Sequence, residues 1–215
     1  MAKSIAVLGL GKFGMSLVRG LNEMGADVLA VDKVEANVKE IAASCASAVC
    51  ADLSNEENLL KLGLEDMDSV VIAMGESLEP SILSVAVSKE LGVPMIVAKS
   101  SSKRMSSILL KVGANRVIMP EEYAGMRSAA LLVSDNITNY FQVSDQLSMI
   151  EMMPLEKWVG KSLINLSIRQ KYQVIIVGKK DKTGWVPIDP EEPLQADVML
   201  LAVMDRKNMG RFLNT

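Results

Sequence analysis

Three glycines and one carboxylate carry the most specific chemistry in this sequence. Residues 5–17 read IAVLGLGKFGMSL. An apolar run breaks into Gly9-x-Gly11-x-x-Gly14, and apolar residues at helical spacing follow at once. Between a strand and a helix, the first glycine permits a tight turn. The second lets the backbone approach a pyrophosphate, and the third lets helix and strand pack closely. The loop amides and the positive end of the helix then face an anion. An acidic residue is expected about 20 residues further on, at the end of the second strand, to hold a ribose. Asp32 is there. Its carboxylate can accept both ribose hydroxyls and would repel a 2′-phosphate, which disfavours NADP. A glycine triplet alone is weak evidence. With its strand, its helix and Asp32, it points to a bound nucleotide, against the alternative of a Rossmann-like fold that has lost its ligand. Lys12 lies inside the loop. A cation there can reach past two phosphates to a third, which sets ATP or ADP beside NAD or NADH as ligands. Its other reading is a solvated surface lysine.

What the sequence lacks narrows the function further. The chain of 215 residues contains no histidine. Ser-His and Cys-His nucleophiles and His-metal sites are therefore excluded, and so is the commonest general base near neutral pH. Cys45 and Cys50 stand without a Cys or His cluster, as in a reduced cytosolic chain without a disulfide framework. The formal net charge of −3 suggests no nucleic-acid-binding face. No apolar run approaches the ~18–20 residues that span a bilayer, and the N-terminal MAKSIAVLGLGKFG lacks the parts of a signal peptide. A dehydrogenase would need an acid or base beside the nicotinamide and a pocket for the hydride partner. Neither is visible, so the expectation is a nucleotide sensor rather than an enzyme.

The elements that position these residues alternate. Buried strands are expected at 4–9, 28–32, 47–52, 68–75, 95–99 and 115–120. Helices are expected between them at 12–24, 35–43, 55–63, 79–91 and 103–112, and a further helix at 121–134. That alternation is the pattern of an α/β, Rossmann-like, doubly wound parallel sheet. After the last helix the texture changes. FQVSDQLSMIEMMPL (141–155) alternates like antiparallel strands. KSLINLSIRQKY (161–172) reads as one short helix, and QVIIVGKKDKTGWVPID (173–189) as a hairpin with its tip near Asp181–Gly184. A buried strand at 197–204 and a terminal helix or tail, RKNMGRFLN, complete a smaller α+β domain. The expected division is 1–134, with the crossover helix 121–134, and 135–215. The chain has 15 methionines, which suit adaptable contacts but equally an ordinary core.

Several segments together resemble one family: VLGLGKFGMSLVRGL with AVD at 30–32, CADLSNEENLLKLG at 50–63, VVIAMGE at 70–76, Lys99 after a strand, and NRVIMPEEYAGMR at 115–127. The chain resembles RCK (TrkA-N plus TrkA-C) proteins over essentially its whole length, most of all the cytosolic regulatory subunits of bacterial Ktr-type potassium uptake systems. The resemblance implies a Rossmann-like lobe that binds ATP, ADP or NAD(H), a crossover helix and a small C-terminal TrkA-C lobe. It implies a homodimer that assembles into a homo-octameric ring on the inner face of the cell membrane. There the ring would dock on a K+-translocating subunit (KtrB/TrkH-like) and gate transport as ATP and ADP exchange. Two alternatives remain: an NAD(H)-sensing Trk-type regulator, and an NAD-dependent oxidoreductase. Trk-type chains often carry two tandem lobe pairs, whereas this chain has one.

The resemblance also places contacts. Lys12 falls where these regulators put a basic phosphate contact, often arginine; lysine keeps the charge without the bidentate fork. Asp32 matches the ribose ligand, and Phe13 and Lys33, next to Lys12 and Asp32, count among the contacts. Asp52 and Leu53 would border the adenine, and Met74, Gly75 and Glu76 the ribose and phosphates. Lys99 would touch phosphate. Glu121 would help hold Mg²⁺ or another divalent cation near the phosphates of a neighbouring subunit. One carboxylate holds no Mg²⁺ without phosphate oxygens and water, so such a metal should depend on the nucleotide. The plainer readings are packing for Met74, a strand-end surface lysine for Lys99 and a dipole-favoured helix-start acid for Glu121. In the second lobe, Leu163, Ile164 and Arg169 lie where some relatives bind cyclic di-AMP, although Arg169 could equally cap a helix or pair with a carboxylate.

Overall fold

The computed structural model describes residues 2–144 and 146–213. Asp145, within the expected strand-like stretch, and Asn214, at the end of the expected tail, lie outside the described residues. Packing divides the chain into two compact units, Met1–Glu121 and Glu122–Thr215.

In the first unit the strands are β1 (Ser4–Leu8), β2 (Asp27–Asp32), β3 (Ser47–Cys50), β4 (Ser69–Ile72), β5 (Met95–Lys99) and β6 (Arg116–Ile118). They form one parallel sheet in the order β3-β2-β1-β4-β5-β6. The connecting helices are α1 (Lys12–Glu23), α2 (Glu35–Ile41), α3 (Glu56–Leu60), α4 (Leu78–Glu90) and α5 (Lys103–Val112). The interiors of the central strands are apolar because both faces are covered. Ala6 and Leu8 of β1 and Leu29 and Val31 of β2 enter one core, which includes Leu59, Val85 and Leu109 from α3, α4 and α5. Val7, Val28 and Ala30 point the other way, onto Met15 and Val18 of α1 and Val38 and Ile41 of α2. The chain direction of the winding reverses between β1 and β4, and in such sheets the crevice for a ligand opens there.

Helix α6 (Pro120–Val133) leads into the second unit. Its Ala130 is buried in that unit's core, with Met126 and Leu131 packed against it. The division by packing thus falls at Glu121, ahead of the 134/135 boundary that the change of sequence texture suggests. Strands β7 (Ile137–Gln142), β8 (Leu147–Met152), β9 (Val174–Asp181), β10 (Gly184–Pro187) and β11 (Leu200–Asp205) form an antiparallel sheet in the order β10-β9-β11-β8-β7. Its core gathers Tyr140, Ile150, Trp158, Ala202 and Phe212. The β9–β10 hairpin turns at Asp181, whose Oδ1 accepts the N–H of Thr183 and of Gly184.

Two details differ from the sequence reading. The helix expected over 161–172 is two short helices, α7 (Leu163–Leu166) and α8 (Ile168–Tyr172). Ser167 between them is left-handed at φ 50 and breaks the run, and its Oγ donates to the Ile164 carbonyl. A left-handed serine is rare, so no propensity signals this break. The last strand starts at Leu200 rather than at 197. The chain ends in α9 (Met209–Leu213).

Candidate nucleotide site

The first requirement of the glycine turn is steric. Gly9 leaves β1 at φ +102, and a Cβ on it would lie 2.7 Å from Met74 Cγ. Its N–H donates to the Val31 carbonyl, 2.8 Å away. A Cβ on Gly14 would lie 2.0 Å from the Gly9 carbonyl oxygen. Gly14 thus fixes how closely α1 approaches β1, and no side chain fits there. Gly11 begins α1 without a side-chain cap, so the first-turn amides have no side-chain partner from the cap residue.

Asp32 ends β2 beside this turn. Its Oδ2 accepts the Leu10 N–H at 2.6 Å and its Oδ1 accepts the Val34 N–H at 2.8 Å. Both bonds fix the carboxylate's orientation and leave each oxygen a further lone pair for a ribose hydroxyl. Asp32 lines an open cleft with Gly9, Lys33, Asp52, Leu53, Met74 and three further residues. Asp52 Oδ1 accepts both the backbone N–H and the hydroxyl of Ser54, and these bonds hold its carboxyl below the usual carboxylate range.

The three further residues are Ser54, Ser77 and Pro80, which sequence reasoning missed. Ser77 is the residue before α4, and its side chain makes no cap hydrogen bond. The Asp-x-Ser turn at 52–54 and the Ser-x-x-Pro start of a helix are the signals that could have found them. The wall they belong to is pinned from behind. Ser81 Oγ, fully buried, lies 2.9 Å from the Met74 carbonyl and 2.7 Å from that of Ser77, and donates to them.

A second cluster forms around Lys99 at the end of β5. Its side chain is only 12% exposed, and its Nζ lies 2.6 Å from Glu121 Oε1. The hydrocarbon stem passes over Gly75, where a Cβ would meet Lys99 Cγ, Cδ and Cε at 2.9 Å. The ammonium stands 5.8 Å from the centroid of the Phe13 ring, in the first turn of α1. A cation is thereby held beside the helix end that carries the glycine loop. The Lys99 hydrogen bond holds the Glu121 carboxyl below its ordinary pKa. Lys12 and Glu76 are exposed and form no ion pair among the described residues.

The residues of the first unit fit a nucleotide: a glycine turn closed to a Cβ at Gly9 and Gly14, an oriented carboxylate and a sequestered cation. They do not fit a metal without one. No group of three or more Asp, Glu or Cys side chains able to hold a metal ion occurs among the described residues. A cation beside Glu121 would need phosphate oxygens and water for most of its coordination.

In the second unit, Leu163 packs against the core, Ile164 is 56% exposed on α7, and Arg169 is exposed on α8. The cleft described in that unit is lined instead by Lys179, Ile188, Glu192, Pro193, Leu194, Gln195 and Val198. None of the three expected residues is among them. No helix of the described residues is long and apolar enough to cross a membrane.

Residues 5–120 match the TrkA-N domain family. The chain is 36% identical to Ktr system potassium uptake protein C of Bacillus subtilis (strain 168), over 99% of this chain and 96% of that one. It is 35% identical to Ktr system potassium uptake protein A of the same organism, over 99% of this chain and 96% of that one. Among solved structures, the GsuK RCK domain aligns with a TM-score of 0.63 at 16% identity, covering 100% of this chain and 47% of that chain. A GsuK channel bound to NAD aligns with a TM-score of 0.62 at 15% identity, covering 100% and 40%. This chain therefore covers less than half the length of those two chains, and at that identity the likeness is one of fold.

Proposed function

The chain belongs to the TrkA-N family, among its Ktr-type RCK proteins, and on that premise we propose that it is a nucleotide-binding regulatory subunit of a potassium uptake system. The observation that carries this reading is Asp32, oriented by the Leu10 and Val34 amides at the mouth of a cleft that starts at Gly9. Strand order places that cleft at the reversal between β1 and β4, where sheets of this kind take nucleotides. Relatives that match nearly end to end are potassium uptake proteins.

The ligands are ATP and ADP. Asp32 takes the ribose, and Asp52 and Leu53 border the adenine. Met74, Gly75 and Glu76 flank the ribose and phosphates, Lys12 and Lys99 meet the phosphates, and Phe13 and Lys33 complete the contacts. Glu121 helps hold a divalent cation that arrives with the nucleotide. The protein works as a cytoplasmic homodimer assembled into a homo-octameric ring against a membrane K+-translocating subunit, and it catalyses no reaction. The second lobe takes cyclic di-AMP at Leu163, Ile164 and Arg169. NAD(H) is the competing ligand, because a channel of the same fold is known bound to NAD.

Equilibrium binding of ATP, ADP, NAD⁺, NADH and cyclic di-AMP to the purified protein, with and without Mg²⁺, tests this. ATP and ADP should bind, and Lys12→Ala should weaken ATP more than ADP. Binding of NAD(H) alone, with Lys12→Ala silent, would overturn the ATP/ADP reading in favour of redox sensing.

A further inference from the structure

The ion pair between Lys99 and Glu121 gives the phosphate end of the site a feature that the nucleotide reading does not contain. Lys99 is a sequestered cation, and burial of a charge is costly unless it is paired. Its stem is trapped over Gly75 and its ammonium is held beside the Phe13 ring. The lysine cannot relocate without vacating that packing. Its partner is different in kind. Glu121 is 65% exposed, and water can take over its carboxylate at little cost. Among the described residues, no other carboxylate lies within ion-pair distance of Lys99.

We infer that Glu121 is an internal competitor for the ligand's phosphate: its carboxylate sits on Lys99 Nζ, and a phosphate oxygen reaches that cation only by displacing it. This rests on the nucleotide reading of the cleft and adds an affinity-limiting contact to it. Each ligand must offer Lys99 more than Glu121 does. A terminal phosphate with two negative charges does so better than the singly charged phosphates of a dinucleotide. The free state is common to all ligands, so the pair lowers the affinity of every ligand that displaces it by the same factor, and a phosphate too weak to displace it binds without Lys99. The pair also ties a phosphate at Lys99 to release of Glu121, in the first turn of α6. A ligand shifts such a contact only by its differential affinity for the two states.

The test is equilibrium binding of ADP and NAD⁺ to the full-length protein in EDTA, which removes any metal contribution from Glu121. Variants are Glu121→Gln, Lys99→Met and the double substitution. Glu122→Gln is the charge control, since Glu122 has no ion pair among the described residues. Glu121→Gln should tighten ADP about fivefold, the equivalent of roughly 1 kcal/mol, and should tighten NAD⁺ by no more than that. Lys99→Met should weaken ADP, and on that background Glu121→Gln should give no gain. Unfolding curves check that each variant is folded, and Glu121→Ala replaces the glutamine if needed. Unchanged or weaker ADP binding by folded Glu121→Gln would overturn the inference. So would an equal gain in Glu122→Gln, or a gain that persists without Lys99. If the unaltered protein and Glu121→Gln both bind neither ligand, the nucleotide reading itself fails and the competitor falls with it.

Discussion

The two clusters of candidate site residues in the first unit, one at the glycine turn and one around Lys99, are built by different means. At the glycine turn, geometry is fixed by the backbone. Gly9 must adopt φ +102, Gly14 has no room for a Cβ, and Asp32 is clamped by two main-chain amides. Around Lys99, geometry is set by side chains that answer one another: a lysine over a glycine and near an aromatic ring, with one exposed carboxylate as its counter-ion. The first cluster is preorganised and changes little with conditions. The second is a balance of charges that a ligand, a salt or a proton can tip.

This contrast can be broken most forcefully at Gly14. Gly14→Ala forces an atom to 2.0 Å from the Gly9 carbonyl oxygen. No flexible side chain can yield there, so the backbone must move. We expect a loss of about 3 kcal/mol or more in chemical unfolding, with nucleotide binding abolished. A stability change within ~0.5 kcal/mol would show that the turn is soft and the contrast misplaced.

Next in size is Asp32→Asn. It keeps one acceptor for Leu10 or Val34 and loses the charge that takes two ribose hydroxyls. Affinity for any adenine nucleotide should fall by about tenfold or more, with stability lowered by about 1.5–3 kcal/mol, as for loss of a hydrogen bond to a charged group. Equal affinities for wild type and variant in a calorimetric titration would remove Asp32 from the site.

The smallest effect sharpens the other cluster. Glu121 has a folded pKa below its ordinary value because Lys99 donates to it. Its pairing therefore stabilises the fold above the unfolded value of 4.5 and is lost as pH falls through the lower folded value. The pair is mostly solvent-facing on the Glu121 side, so the effect is slight. The wild-type minus Glu121→Gln difference in Tm should shrink as pH is lowered below about 4.5. A difference that is flat with pH would mean that the pair contributes nothing.

Legibility in the sequence follows the same divide. Gly9, Gly14 and Asp32 could be read directly, because a left-handed turn, a close helix and a ribose each demand one residue type at fixed spacing. The apolar strands of the first unit could be read because burial on both faces leaves no polar alternation. Ser54, Ser77 and Pro80 escaped notice, since serines and prolines begin many helices and turns. Only the parallel sheet, which brings the segments after β3 and β4 to one edge with the turn after β1, sets these three at the same cleft. Ser167 likewise gave no sign that it would break a helix in two, because a left-handed serine is imposed by surrounding packing and not by its own preference.

The sequence by itself determined the doubly wound first lobe, the smaller second one and the nucleotide-like turn, because these rest on local rules: periodicity, glycine conformation and spacing along one chain. The tertiary structure decided that the chain's packing changes hands after Glu121, and that Lys99 spends its charge on that residue. Lys99 and Glu121 come from different strand–helix units. Coulombic pairing depends on distance in space, which the parallel sheet sets by laying β5 beside β6 and delivering α6 from its end.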